Sequence, residues 1–235
     1  MVNKLTLQNI INKYHLGENE SVKWEIEDKI LTIDFMSPNK ELIGKITASG
    51  IDIEDSTLAI FDTKKLLNLL NITTGDLLLD IEKIHKTPVK LNISDAYFNL
   101  TYALADLLLI SKVGSVKPPD WDIEISLENE NISNLIKAKN ALSEVDNLVV
   151  SIDIDPNEDK MCRFSFGDEQ GHNNKINYNL YGKINIDKMN IPFNSNIFKN
   201  ILSANKEPTS GILRISSRGL IIWNLKLGVL KVNII

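Results

Sequence analysis

Chemistry in this chain would have to start from its histidines, its paired carboxylates or its one cysteine. His15, His85 and His172 stand 70 and 87 residues apart, and none has a neighbouring cysteine or a second histidine at ligand spacing. Such isolated histidines suit loops and surfaces rather than a metal centre. The stretch DIDPNEDKMCRF, 153–164, begins like a calcium loop, with Asp153, Asp155 and Asn157 at the first three ligand positions. It then fails, because Glu158 replaces the required glycine and Phe164 the terminal glutamate. A hairpin turn between two strands is the expected structure there. Asp52 with Glu54, and Glu25 with Glu27, are two residues apart on alternating segments. They point to one wet face and read as a solvated rim, not as a general acid and base. No glycine-rich phosphate loop is present. The expectation is a protein that is not an enzyme, with no cofactor and no metal.

The elements that must position any site are mostly strands. Apolar residues alternate at Leu31, Ile33, Phe35; at Ile123, Ile125, Leu127; at Val150, Ile152, Ile154; at Phe164, Phe166; at Ile176, Tyr178, Leu180; and at Leu213, Ile215. Period two with one polar face predicts antiparallel sheet packed on one side. Four segments break that rhythm with helical spacing: 4–15, 63–74, 131–143 and 195–206. Asp62 and Ser195 are expected to cap two of them, and Gly75 to end one. The helices start 59, 68 and 64 residues apart. This is a loose fourfold repeat of a strand-rich unit carrying one helix. The segment LISKVGSVKPPDWD, 109–122, holds Gly114 and the Pro118-Pro119 pair and reads as a linker. The fold class is therefore α+β, with two similar domains, 1–114 and 115–235, each of antiparallel sheets with two short helices.

Length and composition fit this picture. The 235 residues are 43% hydrophobic and 24% charged, enough for a substantial core. There is no apolar run long enough for a membrane helix, and the N-terminus is too polar for a secretory leader. Cys162 is the only cysteine, which rules out an internal disulfide and suits the cytoplasm.

Charge supplies the sharpest signal. The four helical segments contain Lys4, Lys13, Lys64, Lys65, Lys137, Lys139, Lys199 and Lys206 and no acidic residue, although the chain as a whole carries −5. Without these eight, 18 basic residues face 31 acidic ones. Glutamate and lysine have similar helix propensity, and mixed signs would add favourable side-chain pairs, so the exclusion needs another cause. A thin lysine lining without arginine suits a polyanion that passes nearby without being gripped. A duplex running through a lysine-lined hole, inside an acidic exterior, meets that description.

With these residues in view, the chain resembles the sliding clamps, and most nearly the processivity clamp of T-even-type tailed phages. The stretches that carry the resemblance are LAIFDTKKLLNLL from Leu58, ENISNLIKAKNALSEVDNLVVSIDI at 130–154, and PTSGILRISSRGLIIWNLKL at 208–227. The resemblance implies a subunit of a toroidal ring. Three two-domain subunits form a homotrimer joined head to tail by sheet edges, with helices lining the hole. It implies double-stranded DNA, DNA polymerase and a clamp loader as partners, no membrane, and the cytoplasm of the host cell if the protein is phage-encoded. Lys64 and Lys65 match the second helix of domain one, and Lys137 a basic position of the third. Lys4, Lys13, Lys139, Lys199 and Lys206 are placed by helix alone. The family binds partner peptides in an apolar pocket near the interdomain connector. Here the corresponding stretch is ALADLLLISKV, 103–113, with Leu107, Leu109 and Val113 as candidates, and its plainer reading is a last strand of domain one. Two rival functions remain: a β-rich phage structural or adhesion module without DNA binding, and a conventional basic-groove DNA-binding protein.

Overall fold

Alternation of apolar and polar residues produces seventeen strands and helical spacing produces four helices among the described residues of a computed structural model. The described residues are 1–114, 117–167, 174–206, 210–227 and 230–234. Two compact units emerge, Met1–Ser115 with Gly228–Val232, and Val116–Leu227 with Asn233–Ile235. The first contains β1 (Val2–Asn3), α1 (Lys4–His15), β2 (Val22–Glu27), β3 (Ile30–Met36), β4 (Ile43–Ser49), β5 (Ser56–Ile60), α2 (Thr63–Asn71), β6 (Asp76–Ile84), β7 (Thr87–Ser94), β8 (Asn99–Ala103) and a 3-10 turn, Leu107–Leu109. The second contains β9 (Ile123–Leu127), α3 (Asn129–Ala141), β10 (Asn147–Ile154), β11 (Lys160–Gly167), β12 (Lys175–Leu180), β13 (Lys183–Ile184), β14 (Asn190–Asn194), α4 (Ser195–Ala204), β15 (Ser210–Ser216) and β16 (Leu220–Leu227). Most of β17 (Leu230–Ile234) returns to the first unit and adds to the β4 edge.

The two units repeat one plan. In the first, strands run β1-β6-β7-β8 in one sheet and β5-β2-β3-β4 in another. In the second, β9-β15-β16 and β14-β10-β11-β12 follow the same order, with β13 added beside β9. The pairings within both units are antiparallel, as period two requires. Within each unit the two helices pack against each other. The repeat extends to single residues. In α1 the buried positions are Leu7, Ile10, Ile11, Lys13 and Tyr14; in α3 they are Ile132, Leu135, Ile136, Ala138 and Lys139, a constant offset of 125. In α2 they are Thr63, Leu66 and Leu70, and in α4 Ser195, Phe198 and Leu202, a constant offset of 132.

Core packing is tight enough to dictate glycine. Gly44 on β4 lies opposite Phe35 on β3, and any Cβ there would enter the Phe35 ring. Tyr14 meets the same ring with centroids 6.5 Å apart, and in the second unit Phe164 stacks on Phe198 at 6.0 Å.

Helix ends differ from the sequence reading where local hydrogen bonds intervene. The N-cap of α4 is Asn194, whose Oδ1 accepts from Asn196 N and Ile197 N at 3.0 and 3.1 Å. Ser195 is instead the first helical residue, buried, and its hydroxyl donates to Val145 O at 2.6 Å. Asp62 does cap α2, accepting from Lys65 N at 2.8 Å. That helix stops at Asn71, where the Thr73 hydroxyl takes the Leu70 carbonyl at 2.8 Å, and Gly75 lies beyond it with φ +65. The start of α3 lies at Asn129, because Asn131 Oδ1 accepts from Glu128 N at 3.0 Å. Glu130 thus falls inside the first turn, where a carboxylate favours the helix dipole. The helices are therefore not free of acid, and Lys206 lies two residues past the end of α4. No helix among the described residues is long and apolar enough to cross a membrane.

Candidate nucleic-acid interface

Each helix pair is held by polar ties as well as by its apolar stripe. Lys4 reaches from the first turn of α1 to the open C-terminus of α2, donating to Asn71 O at 3.1 Å and to Thr73 O. Gln8 Nε2 donates to Asn71 Oδ1 at 2.9 Å, and the Thr63 hydroxyl donates to Glu20 O at 2.9 Å. Burial raises the Tyr14 phenol far above its ordinary range, so it remains neutral beside Thr63.

The eight lysines read from the sequence do not form one set. Lys64 and Lys65 on α2 and Lys137 on α3 are exposed, Lys199 on α4 is half-buried, and Lys206 is exposed beyond that helix. None of these five forms an ion pair among the described residues. Strand cations behave differently: Lys23, Lys45, Lys83, Lys90, Lys160, Arg163 and Arg214 each pair with a carboxylate. Three of the eight need correction. Lys13 is 1% exposed and Lys139 is 2% exposed, so neither faces outward. Their positions lie within the buried pattern that α1 and α3 share. Lys139 Nζ turns back to cap its own helix, donating to Ser143 O at 2.7 Å and Leu142 O at 3.5 Å. Desolvation pulls its pKa below the ordinary lysine range, and nearby Lys199 adds to the pull against Asp146 and Glu144. Lys4 is committed to the α2 carbonyls.

The outward helix faces are otherwise rich in amides: Gln8, Asn9 and Asn12 on α1, Asn68 and Asn71 on α2, Asn140 on α3, Asn196 and Asn200 on α4.

The connector stretch provides a second candidate surface, within the first unit. Asp106 Oδ1 accepts from Leu108 N at 2.8 Å and fixes the 3-10 turn where a strand was the plainer reading. Leu107 and Val113 line a cleft of about 820 Å³ together with Val22, Met36, Thr57 and Ile110. Lys23, Glu25, Asp34 and Lys112 supply its polar rim. Leu109 does not line it and is 60% exposed. Val22 and Met36 were not legible as site residues, because only the pairing of β2 with β3 brings them beside the connector.

The three sheets end in six strands among the described residues, β1, β8, β12, β14, β13 and β5, and of these β8 and β12 hold corresponding places in the two units. Among the described residues β8 pairs only with β7, and β12 only with β11. Just before β8, the Asp95 carboxylate accepts from Tyr97 N and Phe98 N, each at 2.7 Å, and holds Tyr97 out in solvent.

The stretch that begins like a calcium loop folds as the expected turn. Asp155 Oδ1 accepts from Asn157 N and Asp159 N at 2.8 and 2.9 Å, and Glu158 takes a left-handed φ of 69. Those bonds hold the Asp155 carboxyl below its usual range. No group of three or more candidate metal ligands occurs among the described residues. His172 lies outside them.

No protein-family model and no curated protein sequence matches the chain. Solved structures do. The chain is similar to PCNA of A. fulgidus, solved with the C-terminal region of FEN-1 bound, at TM-score 0.76 and 12% identity, over 99% of this chain and 94% of that one. It is similar to the Proliferating Cellular Nuclear Antigen of Entamoeba histolytica at TM-score 0.76 and 11% identity, over 99% and 94%. It is also similar to a chain of the PCNA2-PCNA3 complex of Sulfolobus tokodaii at TM-score 0.75 and 10% identity, over 100% and 96%. What is shared at such identity is the fold: the chain has the fold of a PCNA-like clamp subunit, two similar domains of antiparallel sheet with four short helices.

Proposed function

We propose that this protein is a DNA sliding clamp, a homotrimer that encircles duplex DNA and tethers the replicative polymerase as its processivity factor. The observation that carries this is the duplicated helix pair. Lys64 and Lys65 on α2, Lys137 on α3 and Lys199 on α4 form no ion pair among the described residues, while seven strand cations each pair with a carboxylate. Three such chains would supply six equivalent units around a closed hole. Sub-classification among T-even-type phage clamps rests on the sequence stretches at 58–70, 130–154 and 208–227.

The mechanism is topological. A closed ring converts dissociation into sliding, so weak contacts suffice. Lys64, Lys65, Lys137, Lys199 and Lys206 would hold phosphate within roughly one Debye length, about 8 Å at physiological salt, without gripping it. Head-to-tail closure would pair the open edge of β8 with that of β12, which satisfies both rows of backbone groups. The cleft at Leu107 and Val113 would take apolar peptide segments of the polymerase and the loader, with Leu109 at its margin.

Sedimentation should give three times the 26.5 kDa chain mass. Loaded protein should stay on nicked circular DNA and leave when the circle is cut. Lys64→Glu with Lys137→Glu should preserve trimers and impair primer extension by the polymerase. A monomer at every concentration, or equal loss from circular and cut DNA, would refute the ring.

A further inference from the structure

The helices are unexpectedly rich in asparagine. Of 27 asparagines in the chain, ten lie in the 44 residues of the four helices. Asparagine is a poor helix former, so this enrichment works against local stability. Some of it is structural. Asn131 and Asn134 donate to Tyr178 at 3.1 and 3.4 Å, Asn71 accepts from Gln8, and Asn196 donates to Asp146 at 3.1 Å. Asn9, Asn12, Asn68 and Asn140 are different. They lie on the outward faces, and their amides bond to no other side chain among the described residues. Asn12, Asn68 and Asn140 are exposed, and Asn68 and Asn140 sit beside the unpaired Lys64, Lys65 and Lys137.

We propose that Asn12, Asn68 and Asn140 are DNA-backbone contacts, neutral donors that hydrogen-bond phosphate oxygens on the surface where the lysines supply the charge. This rests on the clamp reading above and says which groups of that surface touch the duplex. Side-chain amides donate to phosphates without carrying sequence information. Being uncharged, they release no counterions, so their share of the contact does not fade with salt. A sliding surface made this way keeps hold of the backbone at high ionic strength. The sole acid on these helices, Glu130, lies at the N-terminal end of α3, apart from Asn140 near its C-terminal end.

The test is binding of the full-length protein to a short fluorescent duplex at several salt concentrations between about 50 and 200 mM. Asn12→Ala with Asn68→Ala and Asn140→Ala should weaken binding by roughly 10- to 100-fold at every salt, for three lost hydrogen bonds from uncharged donors. The slope of log affinity against log salt should not change. Lys64→Gln with Lys137→Gln should instead flatten that slope by about 0.9 per lysine. Asn→Gln at the three positions keeps the amide and should restore binding. Alanine and glutamine are better helix formers than asparagine, so neither variant should melt earlier. Unchanged affinity in the alanine variant, a changed slope, or failure of glutamine to rescue would overturn the assignment. Absence of binding by the unaltered protein at every salt would overturn the assignment alone, whereas equal loss of the loaded protein from circular and cut DNA would overturn the clamp reading.

Discussion

Lys13 on α1 and Lys139 on α3 show that a helix lysine can serve the inside of the layer as well as its surface. Both occupy positions of the inward pattern, where a long aliphatic stem packs well and the ammonium must find carbonyls or acids nearby. Their charge therefore belongs to the inside of the helix layer and adds nothing to an external field. Cys162 gives the same lesson for a nucleophile. It is fully buried on β11, and burial alone pushes its thiol up to about 12. A group so shifted is a neutral thiol throughout the physiological range and is inert toward disulfide reagents. Native protein at pH 8 should thus react with a maleimide only as fast as the second unit opens, and at once in denaturant. Immediate labelling of the folded protein would contradict the burial. Asp52 titrates in the opposite direction. The N-terminal ammonium at 2.8 Å and Lys29 at 3.0 Å lower its pKa to about 2. A depressed folded pKa contributes stability above the unfolded value of 3.8, which is lost as pH falls through about 2. Asp52→Asn should flatten the acid limb of a stability profile in that window.

At the scale of elements, periodicity carried most of the fold. The strands around Leu31, Ile123, Phe164 and Leu213 and all four helices lie where alternation and helical spacing put them. The helix ends were less legible, because capping by Asn194, Asn131 and Thr73 depends on which side chain folds back. Surface and core lysines were not separable at all. Helical spacing places Lys13 beside a buried stripe, but only packing decides whether its head reaches water. The cleft lining was legible from the connector side and hidden from the β2–β3 side, since strand neighbours far apart in sequence leave no local mark. Lys4 tests the coupling between helices. Its ammonium satisfies carbonyls at the end of α2, where a cation also meets the negative end of the helix dipole favourably. Lys4→Met should cost about 1 kcal/mol and lower the melting temperature by roughly 2–4 °C in a chain of this size. An unchanged melting curve would mean the tie is worth nothing in solution.

For the whole molecule, the open edges decide whether one chain is enough. An exposed strand edge invites pairing, and β8 and β12 each end a sheet with one row of backbone groups unpaired among the described residues. Antiparallel registers let a single N–H be removed without touching the fold. At the two ends of β8, Asp95 N donates to Phe98 O and Leu104 N donates to Val89 O, at 3.0 and 2.9 Å. With Leu100 opposite Ile93 and Tyr102 opposite Leu91, the hydrogen-bonded pairs fall at 98, 100, 102 and 104. The N–H groups of Asn99, Thr101 and Ala103 therefore face away from β7. Thr101→Pro removes one of these outward donors and spares the inner ladder, as proline on an edge strand does. Circular dichroism of this variant should match that of the unaltered protein, and, on the clamp reading proposed above, sedimentation should show monomers in place of trimers. Retention on circular DNA should vanish with the ring, while affinity for a short linear duplex should fall only as far as losing neighbouring copies requires. A Thr101→Pro protein that still sediments as a trimer would place the joint on a different edge.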